Sequence, residues 1–102
     1  MTPDQKQAAG DAIRRLLAEL DAFQKQASVD LNTVRAKERV AQWQKQTVPL
    51  LSAHVGALEA KRFGDLRPGP SFTNDLLEEL SDEIEVYRTF LHELAQRVGT
   101  SG

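Results

Sequence analysis

A chain of 102 residues, with 13 lysines and arginines against 15 aspartates and glutamates, carries a net charge of −2. Such a chain is long enough for one compact domain and is not a generally basic, nucleic-acid-coating protein. With no cysteine, disulfide scaffolds, thiolate metal sites and thiol catalysis are excluded, and no apolar run approaches the ~18 residues of a membrane span.

The opening residues Met1-Thr2-Pro3-Asp4-Gln5 lack the basic region and apolar stretch of a signal peptide, so a cytoplasmic location is expected. They also start a helix. Thr2 is a capping residue, Pro3 suits the first helical position and Asp4 complements the positive end of the helix dipole. Projected at about 100° per residue, Ala9, Ile13, Leu16, Leu17, Leu20, Phe23 and Ala27 form one stripe, predicting a helix over 3–27. Gly10 weakens it by about 1 kcal/mol relative to alanine, so the first turns are expected to fray.

The stretch 28–33 is a connection. From Thr33 the helical period resumes, with Ala36, Val40, Trp43, Thr47, Leu50, Leu51 and His54 on one face and Leu31 and Val34 off it. A helix over 33–55 is predicted, kinked near 45–49 because Pro49 lacks an N–H and crowds the Lys45 carbonyl. Gly56 supplies a left-handed stop. A short helix over 57–63 follows, anchored by Leu58 and Phe63, and then the turn-rich run 64–70.

Ser71 or Thr73 can cap a last helix over 73–98, whose opening carries Asp75, Glu78 and Glu79. Leu77, Leu80, Ile84, Tyr87, Leu91, Leu94 and Val98 repeat with alternating steps of three and four. Leu76 and Phe90 widen this stripe enough to touch two neighbours. Residues 99–102 read as a tail or the edge of a domain. The fold class is therefore all-α: one domain over 1–98, an antiparallel three-helix bundle running up-down-up, with a short fourth helix across one end. Its core anchors are Leu16, Leu20, Phe23, Trp43, Leu50, Leu80, Ile84, Tyr87, Leu91 and Leu94.

Chemistry-bearing patterns are few. His54 and His92 belong to no metal-binding pair, and neither a phosphate-binding loop nor a Ser/His/Asp grouping is present. His54 is read as a core-edge histidine hydrogen-bonded to a carbonyl or carboxylate, and His92 as solvated. The acidic groups Glu78-Glu79 and Asp82-Glu83-Glu85 read as a solvated face, since adjacent helical residues point about 100° apart. Glu83 differs because it projects beside Leu76, Tyr87, Phe90 and Leu94, and its expected partner is Arg35 or Arg39. No catalytic residue, cofactor or metal site is expected.

Charge is uneven along the chain. Residues 1–62 carry +3 and residues 63–102 carry −5, which predicts that a basic first half holds an acidic last helix. A nucleic-acid surface would need Arg35, Lys37, Arg39 and Lys45, yet only Arg35 and Arg39 share a face, so nucleic acid is not the expected partner.

The run Ala36-Lys37-Glu38-Arg39-Val40-Ala41-Gln42-Trp43, then Thr47, Leu50-Leu51, Val55-Gly56 and Phe63, resembles the helical leader segments that precede TIR-like and other effector domains in bacterial anti-phage and nucleotide-signalling proteins. In those leaders a Trp-containing helix ends at a Gly and is followed by a short helix with a Phe; Pro49 departs from that pattern. The resemblance spans 36–63 and implies an accessory or self-association module with no catalytic residues to carry over. The expected function is thus a non-enzymatic protein-interaction or self-association module, with Arg35, Arg39, Glu83, Val86 and Phe90 as partner-binding candidates. The second reading is a small phage or bacterial regulator acting on nucleic acid or on a nucleic-acid enzyme.

Overall fold

The computed structural model describes residues 2–29, 33–67 and 76–100. It is all-α, with α1 (Pro3–Val29), α2 (Thr33–His54), α3 (Ala57–Gly64) and α4 (Leu76–Thr100), and no strand among the described residues. The expected turns at Leu31 and 68–70, the caps Ser71 and Thr73, and the start of the last helix over 73–75 lie outside the described residues. Gly99 and Thr100 belong to α4 rather than to a tail.

Local chemistry sets the start of α1. Thr2 Oγ1 accepts from the Gln5 N–H at 3.2 Å, and Gln5 Oε1 accepts from the Thr2 N–H at 3.0 Å. This reciprocal capping box satisfies two orphan donors, and α1 is helical from Pro3 onward despite Gly10. α2 runs through Pro49 as one helix. Thr47, buried within it, donates its hydroxyl to the Trp43 carbonyl at 2.7 Å and so needs no partner elsewhere.

Gly56 ends α2 and begins α3. Its N–H donates to the Leu51 carbonyl at 3.0 Å, and its own carbonyl accepts from Ala60 at 3.0 Å. The expectation of a left-handed helical stop needs correcting, because Gly56 lies at φ 156 and ψ 155, an extended positive-φ conformation that side chains disfavour. In α3 the buried residues are Ala60 and Phe63; Leu58, expected as an anchor, is 62 % exposed. On an eight-residue helix two buried positions three apart leave the remaining face to solvent.

The direction of α4 also differs from expectation. α1 and α2 are antiparallel: Phe23 meets Trp43 with ring centroids 6.2 Å apart, while Ala8, Ala12 and Leu16 face Leu50 and His54. On α2 and α4, Lys37 pairs with Glu79 and Gln44 with Tyr87, so residue numbers rise together and the two helices run parallel. Arg97 near the end of α4 reaches Glu59 at the start of α3, which agrees. The up-down-up arrangement is therefore replaced by one in which α1 opposes both α2 and α4. The reason is the connection. The chain turns back at Gly56, and α4 begins beside the start of α2, the far end of a helix about 33 Å long. α3 makes the first part of that return, folding back along α2 until Gly64 meets Val48 and Phe63 meets Trp43.

A single core cluster draws on all four helices. Trp43 lies at its aromatic centre, with Phe63 at 5.7 Å and Tyr87 at 5.9 Å between centroids. Leu16, Leu20, Leu80, Ile84, Tyr87, Leu91 and Leu94 are buried, and Phe23 and Leu50 pack against them half-buried. Leu77, placed in the core by its heptad position, is 41 % exposed because it sits in the first turn of α4, at the end of the bundle.

Charge pairing follows geometry rather than the halves of the sequence. Lys37–Glu79 at 3.1 Å joins a basic α2 to an acidic α4 as expected. The other two ion pairs between helices in the described residues run the opposite way, Arg88 of α4 to Asp21 of α1 at 2.8 Å and Arg97 of α4 to Glu59 of α3 at 3.3 Å. Each has an exposed partner or rim position, where such a pair contributes about 0–1 kcal/mol.

Truncating the aromatic centre by Trp43→Ala is expected to cost about 3–5 kcal/mol, measured by denaturant unfolding. The two glycines separate cleanly: a Cβ at helical Gly10 meets nothing within 4 Å, so Gly10→Ala stabilises by about 0.4–1 kcal/mol. At Gly56 there is equal space but positive φ, and Gly56→Ala destabilises by about 1–3 kcal/mol in the same assay.

Candidate functional site

Among the described residues a buried polar network centres on Gln44, a residue the sequence did not single out. The residue is 8 % exposed. Nε2 donates to the Phe63 carbonyl at 2.9 Å, with the Leu66 and Gly64 carbonyls at 3.3 and 3.4 Å. Phe63 and Gly64 close α3 and Leu66 lies just beyond it, and the Phe63 carbonyl also accepts from the Leu66 N–H at 3.2 Å. Arg67 Nη1 approaches from outside and donates to the same Leu66 and Gly64 oxygens at 2.6 and 3.1 Å, placing a cation at the negative end of α3. On its other side Gln44 Oε1 lies 2.8 Å from the Tyr87 hydroxyl, and that hydroxyl lies 2.8 Å from Glu83 Oε1.

The expected ion pair of Glu83 with Arg35 or Arg39 is therefore corrected: Tyr87, one turn along α4, meets the carboxylate instead. An i,i+4 neighbour on the same helix face is always within reach, whereas a cross-helix arginine requires a matching register. Burial, then the hydrogen bond and negative charge of Glu83, push the Tyr87 phenol above its ordinary value of 10.0, and the charge of Arg67 pulls the other way.

Two buried polar atoms have no hydrogen-bond partner among the described residues. One is Trp43 Nε1, at the aromatic centre of the core. The other is Glu59 Oε2, whose sister oxygen accepts from Arg97.

The remaining sequence-derived candidates scatter. Arg35 and Arg39 are exposed on α2 and, with Glu38 and Gln42, line a shallow polar depression of about 140 Å³. Val86 and Phe90 are half-buried against the core, with Phe90 5.7 Å from Phe63. His54 is exposed, not a core-edge group. It stands in the last turn of α2, where the apolar stripe runs out, on the rim of an open groove of about 350 Å³ floored by Ala8, Ala12, Leu16 and Leu50. His92 is exposed. Among the described residues no group of three or more His, Asp or Glu is placed to hold a metal ion, and no helix is long and apolar enough to cross a membrane.

Exposed large apolar side chains concentrate at one end of the bundle. Val29 closes α1 at 81 % exposure, Val34 opens α2 at 55 %, and Leu76 and Leu77 open α4 at 40 and 41 %. The Lys37–Glu79 pair, one turn in from both helix starts, brings these positions to the same end. Helical periodicity located Val34 off the core face; that the starts of α2 and α4 meet is a consequence of their parallel run.

Compared with known proteins, the chain matches no family model, no curated protein and no solved structure.

Tyr87 is the only tyrosine, which gives the network a direct readout. Because its folded-state value is raised, its contribution to stability is full below about pH 10 and is lost as the pH rises from there. In an alkaline titration the phenolate absorbance should therefore appear together with unfolding, and Tyr87→Phe should remove the part of the alkaline stability loss that belongs to this group.

Proposed function

We propose that this chain is a non-enzymatic interaction module that docks on a protein partner, or on a second copy of itself, through the bundle end where α1 finishes and α2 and α4 start. One observation carries the reading: Val29, Val34, Leu76 and Leu77, contributed by three helices, are all exposed at that end. Single exposed apolar residues need no explanation, but several gathered in one place supply a surface whose burial drives association. The polar interior supports the same reading, because Gln44, Tyr87 and Arg67 are engaged in holding α3 and α4. The resemblance of residues 36–63 to bacterial leader segments suits an accessory domain of a cytoplasmic defence or signalling protein.

A regulator that touches nucleic acid would instead use the exposed Arg35 and Arg39 beside Gln42. Salt distinguishes the two: phosphate contacts lose affinity steeply between about 50 and 200 mM, whereas apolar docking does not.

Charged substitutions at the exposed end, Val34→Glu with Leu76→Lys, are expected to leave unfolding within about 0.5 kcal/mol of the parent while abolishing self-association in sedimentation or partner retention in pull-downs. A parent protein that is strictly monomeric and retains no partner would overturn the reading, as would variants that associate unchanged.

A further inference from the structure

The Gln44–Tyr87–Glu83 chain has fewer hydrogens than acceptors. Three main-chain carbonyls surround Gln44 Nε2, which identifies that atom as the nitrogen and leaves Oε1, an acceptor only, facing Tyr87. An ionised Glu83 carboxylate is also an acceptor only. Between these two oxygens stands the Tyr87 hydroxyl, 2.8 Å from each and carrying one hydrogen. One contact is thus a hydrogen bond, and the other brings two oxygen lone pairs together at the same distance.

The two acceptors compete on unlike terms. Glu83 offers the stronger, charge-assisted bond. Gln44 is the more costly to abandon: its amide is buried away from water, while half-buried Glu83 can turn to solvent. The other charged groups nearby do not supply the missing hydrogen. Arg67 is committed to the Gly64 and Leu66 carbonyls, Lys37 to Glu79, and Arg88 to Asp21, Gln24 and Glu85.

We propose that Gln44, Tyr87 and Glu83 form a two-position latch, in which the single phenolic hydrogen serves either α2 or the Glu83 carboxylate. When the hydrogen turns to Glu83, Gln44 loses its tie to α4. The same amide gathers the carbonyls of 63, 64 and 66, so the end of α3 and residues 65–67 loosen with it. Glu83 thereby sets how firmly α3 is clasped, and the latch makes this corner the part of the bundle that opens first.

The test is Glu83→Gln, which brings amide hydrogens to Tyr87 and frees the phenolic hydrogen for Gln44. The melting temperature should rise by about 4–8 °C, the shift that one net hydrogen bond produces in a domain of this size. Hydrogen exchange at the Asp65 and Leu66 amides, which bond the Lys61 and Phe63 carbonyls, should slow by about fivefold. Asp82→Asn removes the same charge from an exposed neighbour on α4 and should reproduce neither effect. In a Tyr87→Phe background the gain from Glu83→Gln should vanish. The latch is overturned if Glu83→Gln is no more stable than the parent, if Asp82→Asn matches it, or if the gain survives without the Tyr87 hydroxyl.

Discussion

Gln44 is buried with four polar demands, and answering them decides where α3 and α4 lie. A buried amide left without partners costs about 1–3 kcal/mol for each unmet group, a substantial fraction of what a domain of 102 residues has in total. Its nitrogen takes the carbonyls at the end of α3, and its oxygen takes the Tyr87 hydroxyl of α4. Apolar contacts tolerate sliding and rotation; these hydrogen bonds do not. The aromatic group of Trp43, Phe63 and Tyr87 packs α2, α3 and α4 together, and the amide beside it fixes one register of α3 and α4 against α2.

The parallel run of α2 and α4 follows from the same corner. Gly56 turns the chain back so that α3 lies along α2, which brings Phe63 to Trp43 and the α3 carbonyls to Gln44. At Gly64 the chain is already part of the way back along α2, beside Val48, and α4 begins at the start of that helix. The starts of α2 and α4 then stand together, and with them Val34, Leu76 and Leu77, joined there by the end of α1. The surface on which the functional reading rests is in this sense a product of topology.

Charge contributes differently from what a count along the chain suggests. The excess of acid in the last helix leads to one cross-helix pair of the expected sense, whereas the two arginines of α4 that reach other helices find acids on α1 and α3. Local neighbours and register, not the net charge of segments, decide which side chains meet, because screened surface charges act over only about 8–10 Å.

The sequence by itself determined the helices. The capping residues at Thr2 and Pro3, the stripe from Ala9 to Ala27, and the three-four steps from Leu80 to Val98 are local patterns, and each reappears as a buried helix face. Core anchors such as Leu16, Trp43 and Leu91 were legible for the same reason: helical burial repeats every three or four residues. Tertiary structure decided the rest. Leu58, Leu77 and His54 carry helical phase into solvent because a helix can extend past, or turn away from, its neighbour, and phase alone does not say where contact stops. Gln44 lies in phase with buried Val40, Thr47 and Leu51, but its polar side chain gives no reason for burial, which depends on carbonyls about 20 positions away. The direction of α4, the partner of Glu83 and the gathering of exposed apolar residues likewise rest on long-range register, which a one-dimensional pattern of spacings does not contain.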